Sequence, residues 1–382
     1  MAEKRVIKNK FDSKEELIGI IWKSLSEKGW KIIEIRENGN SGKDGLLNKP
    51  IKKLLVEHDG TRTPLAVKFQ EQEPRLLFRS LYEYYGHASA EELSDFDSCC
   101  GYLSMQNMHQ HERIFYRNCH PDLKAYIPVY YGEIKMEDTY CILMEDISSC
   151  RYMNQISSPQ NWGYREIRLA LETLAFFHSI EICSEGEIEK QEEKINLAAV
   201  PRFTTALHEA MYRFAGVERA LKTEQAARQF LAHQMEYEKS LSQYGKRMIH
   251  NDFNIRNICI NTSCFRLMVY DWEFVDWKNP LSDVVDFLIS LSSESLINDL
   301  PEKWLSIYWN ALNKYGFYVS LSDIREQFYI NLLKFGATRM NMYFLCYSKK
   351  KDTYMERMYR NLGILLDAQY ECKIRIPDNS WI

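Results

Sequence analysis

The chain has 382 residues, 45% of them hydrophobic and 27% charged, with a formal net charge of -4. That is enough apolar material for one large or two modest domains, each with its own core, and too little basic excess for a nucleic-acid-binding surface. Ten cysteines lie without CxxC pairs or zinc spacing, Met1 to Ser13 lacks an apolar leader segment, and no apolar run is long enough to span a bilayer, so a cytoplasmic chain with reduced thiols and no membrane insertion is expected.

Taken in order, Asp12 or Ser13 is placed to cap a helix whose first turn holds Glu15 and Glu16, where the helix dipole favours acids. Leu17, Ile20, Ile21, Trp22 and Leu25 continue it at helical spacing to about Gly29, and Lys31 to Arg36 reads as a strand. A turn rich in Gly, Asn and Ser follows over 37–45, then strands over Lys52 to Val56 and Pro64 to Phe69. The second of these carries Lys68 among apolar neighbours, a costly place for an ammonium unless it meets an anion.

The stretch 70–106 is longer than a simple strand-to-helix connection requires, with a helix expected from Glu73 to Tyr85 and Glu91, Glu92 and Asp95 expected on a solvated face. A helix from Met108 to Tyr116 holds Glu112. Ile127 to Tyr131 and Tyr140 to Met144 read as the fourth and fifth strands, the latter running into Glu145-Asp146-Ile147. The remainder reads as helical. Arg165 to Ile182 repeats Ile167, Leu171, Leu174, Ala175 and His178 at helical spacing, and Pro201 to Tyr244 is expected helical throughout. Pro301 to Tyr315, Leu321 to Tyr347 and Thr353 to Tyr370 supply three more helices.

Between these helices lies a chemically loaded segment. It reads His250-x-Asp252-x4-Asn257, with Asp271 fourteen residues beyond Asn257. Apolar positions at Ile258, Ile260, Leu267 and Val269 flank a turn at Asn261 to Cys264, the pattern of a β-hairpin. The hairpin holds a loop carrying Asp252 and Asn257 beside a strand end carrying Asp271. Asp and Asn in a loop commonly do no more than bond their own backbone. The spacing as a whole instead matches what phosphoryl transfer from Mg-ATP requires: a carboxylate to orient the attacking hydroxyl, and a carboxamide with a second carboxylate to hold magnesium.

The segment resembles the aminoglycoside phosphotransferase and choline kinase superfamily, whose signature is His-x-Asp-x4-Asn, then an Asp-Trp/Phe-Glu-like metal motif, then a short segment containing Pro and Asp. Here these are His250 to Asn257, Asp271-Trp272-Glu273, and Asn279-Pro280-Leu281-Ser282-Asp283. The resemblance implies an α+β, protein-kinase-like two-lobed fold: a small antiparallel-sheet lobe over residues 1–146 and a large, mainly helical lobe over 147–382. It implies ATP and Mg²⁺ as cosubstrate and cofactor, with Asp252 and His250 in the catalytic loop and Asn257 and Asp271 on the metal. Lys68 would meet the nucleotide phosphates, paired with Glu112. Asn40 and Ser41 would approach a phosphate from the glycine turn, though Gly39, Gly42 and Gly45 do not make GxGxxG. Backbone groups near Glu145 and Ile147 would bond the adenine. Asp283 is expected to cap the helix after Pro280, and Asp286 to buttress the His250 loop.

The acceptor implied is a small hydroxylated molecule. An aminoglycoside-like or other hydroxylated antibiotic comes first, then choline or ethanolamine, both cationic, then a sugar or amino sugar. A kinase-like scaffold without turnover is the alternative of another class, against which every expected catalytic residue is present. One departure stands out: Arg256 occupies the place before the metal Asn where family members often carry a small residue.

Overall fold

The computed structural model describes residues 14–36, 51–70, 74–136, 139–152, 159–180, 198–215, 217–298, 301–347 and 353–371. They divide into two units, one of Met1–Glu71 with Pro128–Ser148, the other of Gln72–Ile127 with Ser149–Ile382. The sequence reading cuts the chain once, after residue 146; the units are interleaved, and 72–127 groups with the second. The proposed cap at Asp12 or Ser13 and the glycine turn with Asn40 and Ser41 lie outside the described residues.

In the first unit, helix α1 (Lys14–Glu27) turns into strand β1 (Lys31–Arg36). Gly29, at φ +75°, allows the turn, and Trp30 N–H closes it on the Leu25 carbonyl at 2.9 Å, the 6→1 bond of a Schellman motif. Strands β2 (Ile51–His58) and β3 (Thr61–Gln70) form a hairpin through Asp59-Gly60, both at positive φ, as the right-handed twist of paired strands favours. With β4 (Tyr130–Met136) and β5 (Thr139–Glu145) they make a five-stranded antiparallel sheet ordered β1-β2-β3-β5-β4. Alternation sorts its faces. Leu65, Val67 and Phe69 join Leu54, Val56, Cys141 and Leu143 in a core with Ile21 and Leu25 of α1. Lys68 points to the opposite face.

The second unit is mainly helical. It begins with α2 (Pro74–Tyr85), α3 (Ala90–Cys99) and α4 (Met108–Arg117), continues with α5 (Tyr164–Ser179), α6 (Ala199–Ala215), α7 (Val217–Ala232) and α8 (Gln234–Gln243), and closes with α9 (Leu281–Ser290), α10 (Ser293–Asn298), α11 (Pro301–Lys314), α12 (Leu321–Ala337), α13 (Arg339–Tyr347) and α14 (Thr353–Glu371). The run expected helical over 201–244 divides into α6 to α8, and the single helix expected over 321–347 breaks at Thr338 between α12 and α13. At α12 the helices come close: a Cβ on Gly336 would lie 2.8 Å from that of Ala226 on α7. Of the acids expected on a solvated face, Glu91 is exposed and Asp95 is not. Glu92 and Ser89 form a capping box on α3, and Asp95, buried, takes two hydrogen bonds from Arg202 at 2.6 and 2.9 Å.

Within this unit β6 (Arg247–Ile249) pairs with β9 (Asp276–Lys278), and β7 (Ile258–Asn261) pairs with β8 (Arg266–Val269). The hairpin is the one its sequence predicts; the β6–β9 pair is not. Together the two ribbons clamp residues 250–257 and 270–275 from both ends. The chain is thus α+β, with a small antiparallel-sheet unit and a large helical one. Among the described residues no helix is long and apolar enough to cross a membrane.

Candidate active site

The loop after β6 is fixed by its own polar groups. Asp283, in the first turn of α9, accepts the backbone N–H groups of His250 and Asn251 at 2.7 Å each and lies 3.3 Å from His178 Nε2. Pro280, not Asp283, stands at the N-cap of α9; Asp283, not Asp286, supports the loop, and Asp286, one turn further on, pairs with Arg339 at 2.8 Å. His178 also meets the Tyr308 hydroxyl at 2.8 Å, a supporting position in the core.

His250 is 1% exposed, and both ring nitrogens are engaged. Nδ1 accepts the Asp252 N–H at 3.3 Å, so the proton sits on Nε2, which donates to the Tyr270 carbonyl at 2.9 Å. Its ring lies 4.6 Å from that of Trp272. It ties the Asp252 loop to the Asp271 segment and has no nitrogen left for proton transfer.

Asp252 is 8% exposed. Oδ2 accepts from Asn257 Nδ2 at 2.7 Å; Oδ1 accepts from the Tyr343 hydroxyl at 2.6 Å and Asn254 Nδ2 at 2.9 Å, with an Arg256 nitrogen at 3.4 Å. Asn257 Nδ2 also reaches the Asp252 carbonyl at 2.9 Å, which turns the amide oxygen the other way. Arg256, the departure from the family pattern, therefore meets an acidic partner. Its Nε bonds Asn254 Oδ1 at 3.0 Å, and its guanidinium lies 5.5 and 5.1 Å from the ring centroids of Tyr343 and Tyr354, within cation–π range.

Asp271 stands at φ +67°, an uncommon left-handed conformation for an aspartate. Beyond it, 272–274 is a 3-10 turn against which α4 packs. Phe115 stacks on Trp272 at 4.0 Å and 13°, and Glu112, three residues earlier on the same helical face, comes with it. Carboxylate oxygens of Glu112, Asp271 and Glu273 all lie within 4.8 Å of one another, with Glu112 and Glu273 buried. Three carboxylates so close repel unless positive charge or a proton stands among them. Hard oxygen donors at this spacing suit Mg²⁺ or another divalent cation. Glu112 is thus a member of this acidic cluster.

Lys68 is buried on β3 of the first unit, opposite Ile142 of β5. Glu145 ends β5 with its backbone and side chain both bonded to Val129, and Ile147 is buried.

Beside the catalytic loop the second unit holds a cavity of about 550 Å³, within the size range of small-molecule sites. Met105, Phe274, Trp277, Phe335 and Met342 supply apolar wall, while Asn251, Asp286 and Tyr343 join it to Asp252. Several of its charged groups are paired. Lys334 bonds Glu238 at 2.9 Å, Glu238 also accepts from the Tyr102 hydroxyl at 2.6 Å, and Arg339 bonds Asp286. Burial pushes the Asp286 carboxyl up to about 8; Arg339 opposes the shift, and the charges of Asp252 and Asp283 add to it. The sequence carried no signal for Tyr343, Arg339 or the wall, since all reach the loop by chain folding alone.

No curated protein sequence matches the chain. Among solved structures, the GDP complex of wild-type aminoglycoside 2'-phosphotransferase-IIIa is 13% identical, covering 94% of this chain and 100% of that one, with a TM-score of 0.48. An ethanolamine kinase of Plasmodium vivax is 10% identical over 94% of this chain and 90% of that one, with a TM-score of 0.49. Likenesses this loose carry no argument about chemistry. The ecdysteroid kinase-like family model is different: it matches residues 102–316, more than half of the chain, and that span includes the Asp252 loop, Asp271 and both ribbons. The chain therefore belongs to the ecdysteroid kinase-like family, within the superfamily its motifs resemble, and is a small-molecule kinase.

Proposed function

We propose that the protein transfers the γ-phosphoryl group of ATP to a hydroxyl of an apolar, polyhydroxylated small molecule of steroid dimensions, seated in the cavity beside Asp252. The observation that carries this is the shared wall: Asn251 and Tyr343 border both the cavity and the Asp252 carboxylate, and the rest of the lining is largely apolar. The family's name supports the same acceptor class. An aminoglycoside-like or choline-like acceptor fits less well. Such cations need carboxylates on the wall, and the two present, Glu238 and Asp286, are already matched to Lys334 and Arg339.

In the proposed reaction Asp252 accepts a hydrogen bond from the acceptor hydroxyl and aims its oxygen at the γ-phosphorus. As that O–P bond forms, the bond from phosphorus to the bridging oxygen of ADP breaks, and the hydroxyl proton leaves toward Asp252. Asn257 and Asp271, with Glu112 and Glu273 close by, would hold Mg²⁺, which when bound compensates charge on the phosphates. Lys68 is assigned to the nucleotide phosphates, as are Asn40 and Ser41, and the backbone near Glu145 and Ile147 to the adenine. Because the transition state is loose, alignment and charge compensation carry most of the rate. A cytoplasmic location fits these assignments.

ADP release measured with Mg-ATP over polyhydroxylated steroids, aminoglycosides and amino alcohols tests the reading. Turnover on the steroids is expected. Turnover confined to aminoglycosides or amino alcohols would overturn the acceptor assignment, and ATP binding with no turnover on any compound would overturn the reaction.

A further inference from the structure

The terminal torsion of an aspartate has broad, roughly two-fold wells, so a rotamer alone does not fix the plane of its carboxylate. The hydrogen bonds around Asp252 do. An ionised carboxylate offers about four lone-pair sites, two on each oxygen. Oδ1 takes three donors, the Tyr343 hydroxyl at 2.6 Å, Asn254 Nδ2 at 2.9 Å and an Arg256 nitrogen at 3.4 Å. Oδ2 takes one among the described residues, Asn257 Nδ2 at 2.7 Å, and keeps room for another.

The four donors are not equivalent. Asn254, Arg256 and Asn257 stand 2, 4 and 5 residues after Asp252 and belong to its own loop. Among the described residues Tyr343 makes the one side-chain bond to this carboxylate from outside the loop, across 91 residues, and it is the shortest of the four. It stands on α13, 4% exposed, with its ring edge-on to Phe335 at 6.1 Å between centroids, and it lines the cavity. Burial, then the charges of Asp252 and Asp286, push its phenol well above the ordinary 10, so the hydroxyl stays a donor at neutral pH. We propose that Tyr343 is a positioning residue for phosphoryl transfer: it ties Asp252 Oδ1 to α13 and so presents Oδ2 to the acceptor hydroxyl. The inference rests on Asp252 meeting that hydroxyl in this cavity, and it names the oxygen that does so and what holds it there. Tyr343 acts through Asp252; neither the proton nor the phosphoryl group passes through it.

The test uses the full-length enzyme, Mg-ATP and every compound of the acceptor panel that turns over, with active sites counted by calorimetric ATP binding. Tyr343→Phe deletes the hydroxyl alone and keeps the ring beside Arg256 and Phe335. Asn254 and Arg256 still bond Oδ1, so the variant should fold, and thermal melting checks it. It should lower kcat by about tenfold or more, the scale of one hydrogen bond to a charged group. Both KM values should stay within about twofold of wild type, as for a group that acts only in the transition state. Added to Asp252→Ala, the substitution should cost nothing further, because residues that act as one unit do not lose their effects independently. A loss from impaired folding would instead recur in both backgrounds. Unchanged kcat, a change confined to the acceptor KM, a faster enzyme, or equal losses in both backgrounds overturns the positioning role and leaves the proposed reaction standing. If steroids are inert but another acceptor turns over and the cycle still shows the coupling, the acceptor class falls and the role of Tyr343 holds. No turnover on any compound overturns both.

Discussion

Asp252 is surrounded by donors from two places in the chain: Asn254, Arg256 and Asn257 from its own loop, and Tyr343 from α13. A carboxylate so heavily bonded is held in one orientation and is a well-aimed hydrogen-bond acceptor. That suits a loose phosphoryl-transfer transition state, which asks for alignment more than for full deprotonation. Arg256 is part of this arrangement, its planar fork shared between Asn254 and Asp252 and its faces near two tyrosine rings. Replacing Asp252 with Ala should leave Mg-ATP binding nearly unchanged in calorimetry and lower turnover by about 100-fold or more, the scale of losing a positioned acid or base. An Asp252→Ala enzyme with turnover near wild type would remove this residue from the reaction. His250 was legible as a loop residue from its motif. Its task, joining the loop to the Tyr270 carbonyl, needed the geometry.

At the scale of elements, the cavity is braced by ion pairs that tie one helix to another. Glu238 on α8 meets Lys334 on α12 and the Tyr102 hydroxyl. Burial raises the Glu238 pKa, but Lys334, the Tyr102 hydroxyl and Lys278 outweigh it and hold the carboxyl below its ordinary 4.5. The sign follows from linkage: a carboxyl depressed by folding adds stability above its unfolded pKa, and that stability is lost as pH falls through the folded value. Glu238→Gln should cost about 1–2 kcal/mol at neutral pH, the scale of a charged hydrogen bond, and the cost should shrink as pH drops below about 4.5. Urea unfolding at neutral and acid pH measures it. A deficit that stays constant between the two would show that the ionised form of Glu238 is not what stabilises the helix pair. None of this was visible along the chain, because Tyr102, Glu238 and Lys334 are separated by 136 and 96 residues.

For the whole molecule, the acidic cluster of Glu112, Asp271 and Glu273 is the test of metal dependence. It joins a helix early in the chain to a turn far along it, brought together by the Phe115–Trp272 stack. Asp271→Ala should remove the Mg²⁺ dependence of ATP binding, read as equal affinity by calorimetry with and without Mg²⁺. Affinity that still rises with Mg²⁺ would move the cation elsewhere.

Local pattern settled much about this protein. The alternation of Leu65, Val67 and Phe69, the Asp-Gly turn at 59–60 and the paired apolar runs around Asn261 set the sheet and the catalytic hairpin, because strand faces and tight turns depend on near neighbours. The spacing of His250, Asp252, Asn257 and Asp271 named the reaction class for the same reason: one loop and one hairpin hold all four. Partners far apart in sequence were another matter. Tyr343 on Asp252, Asp283 rather than Asp286 under the loop, Glu112 beside Asp271, and the apolar wall that bears on the acceptor were decided by packing between distant helices. A side chain's long-range partner depends on where the rest of the core comes to rest, and the residues around it do not encode that.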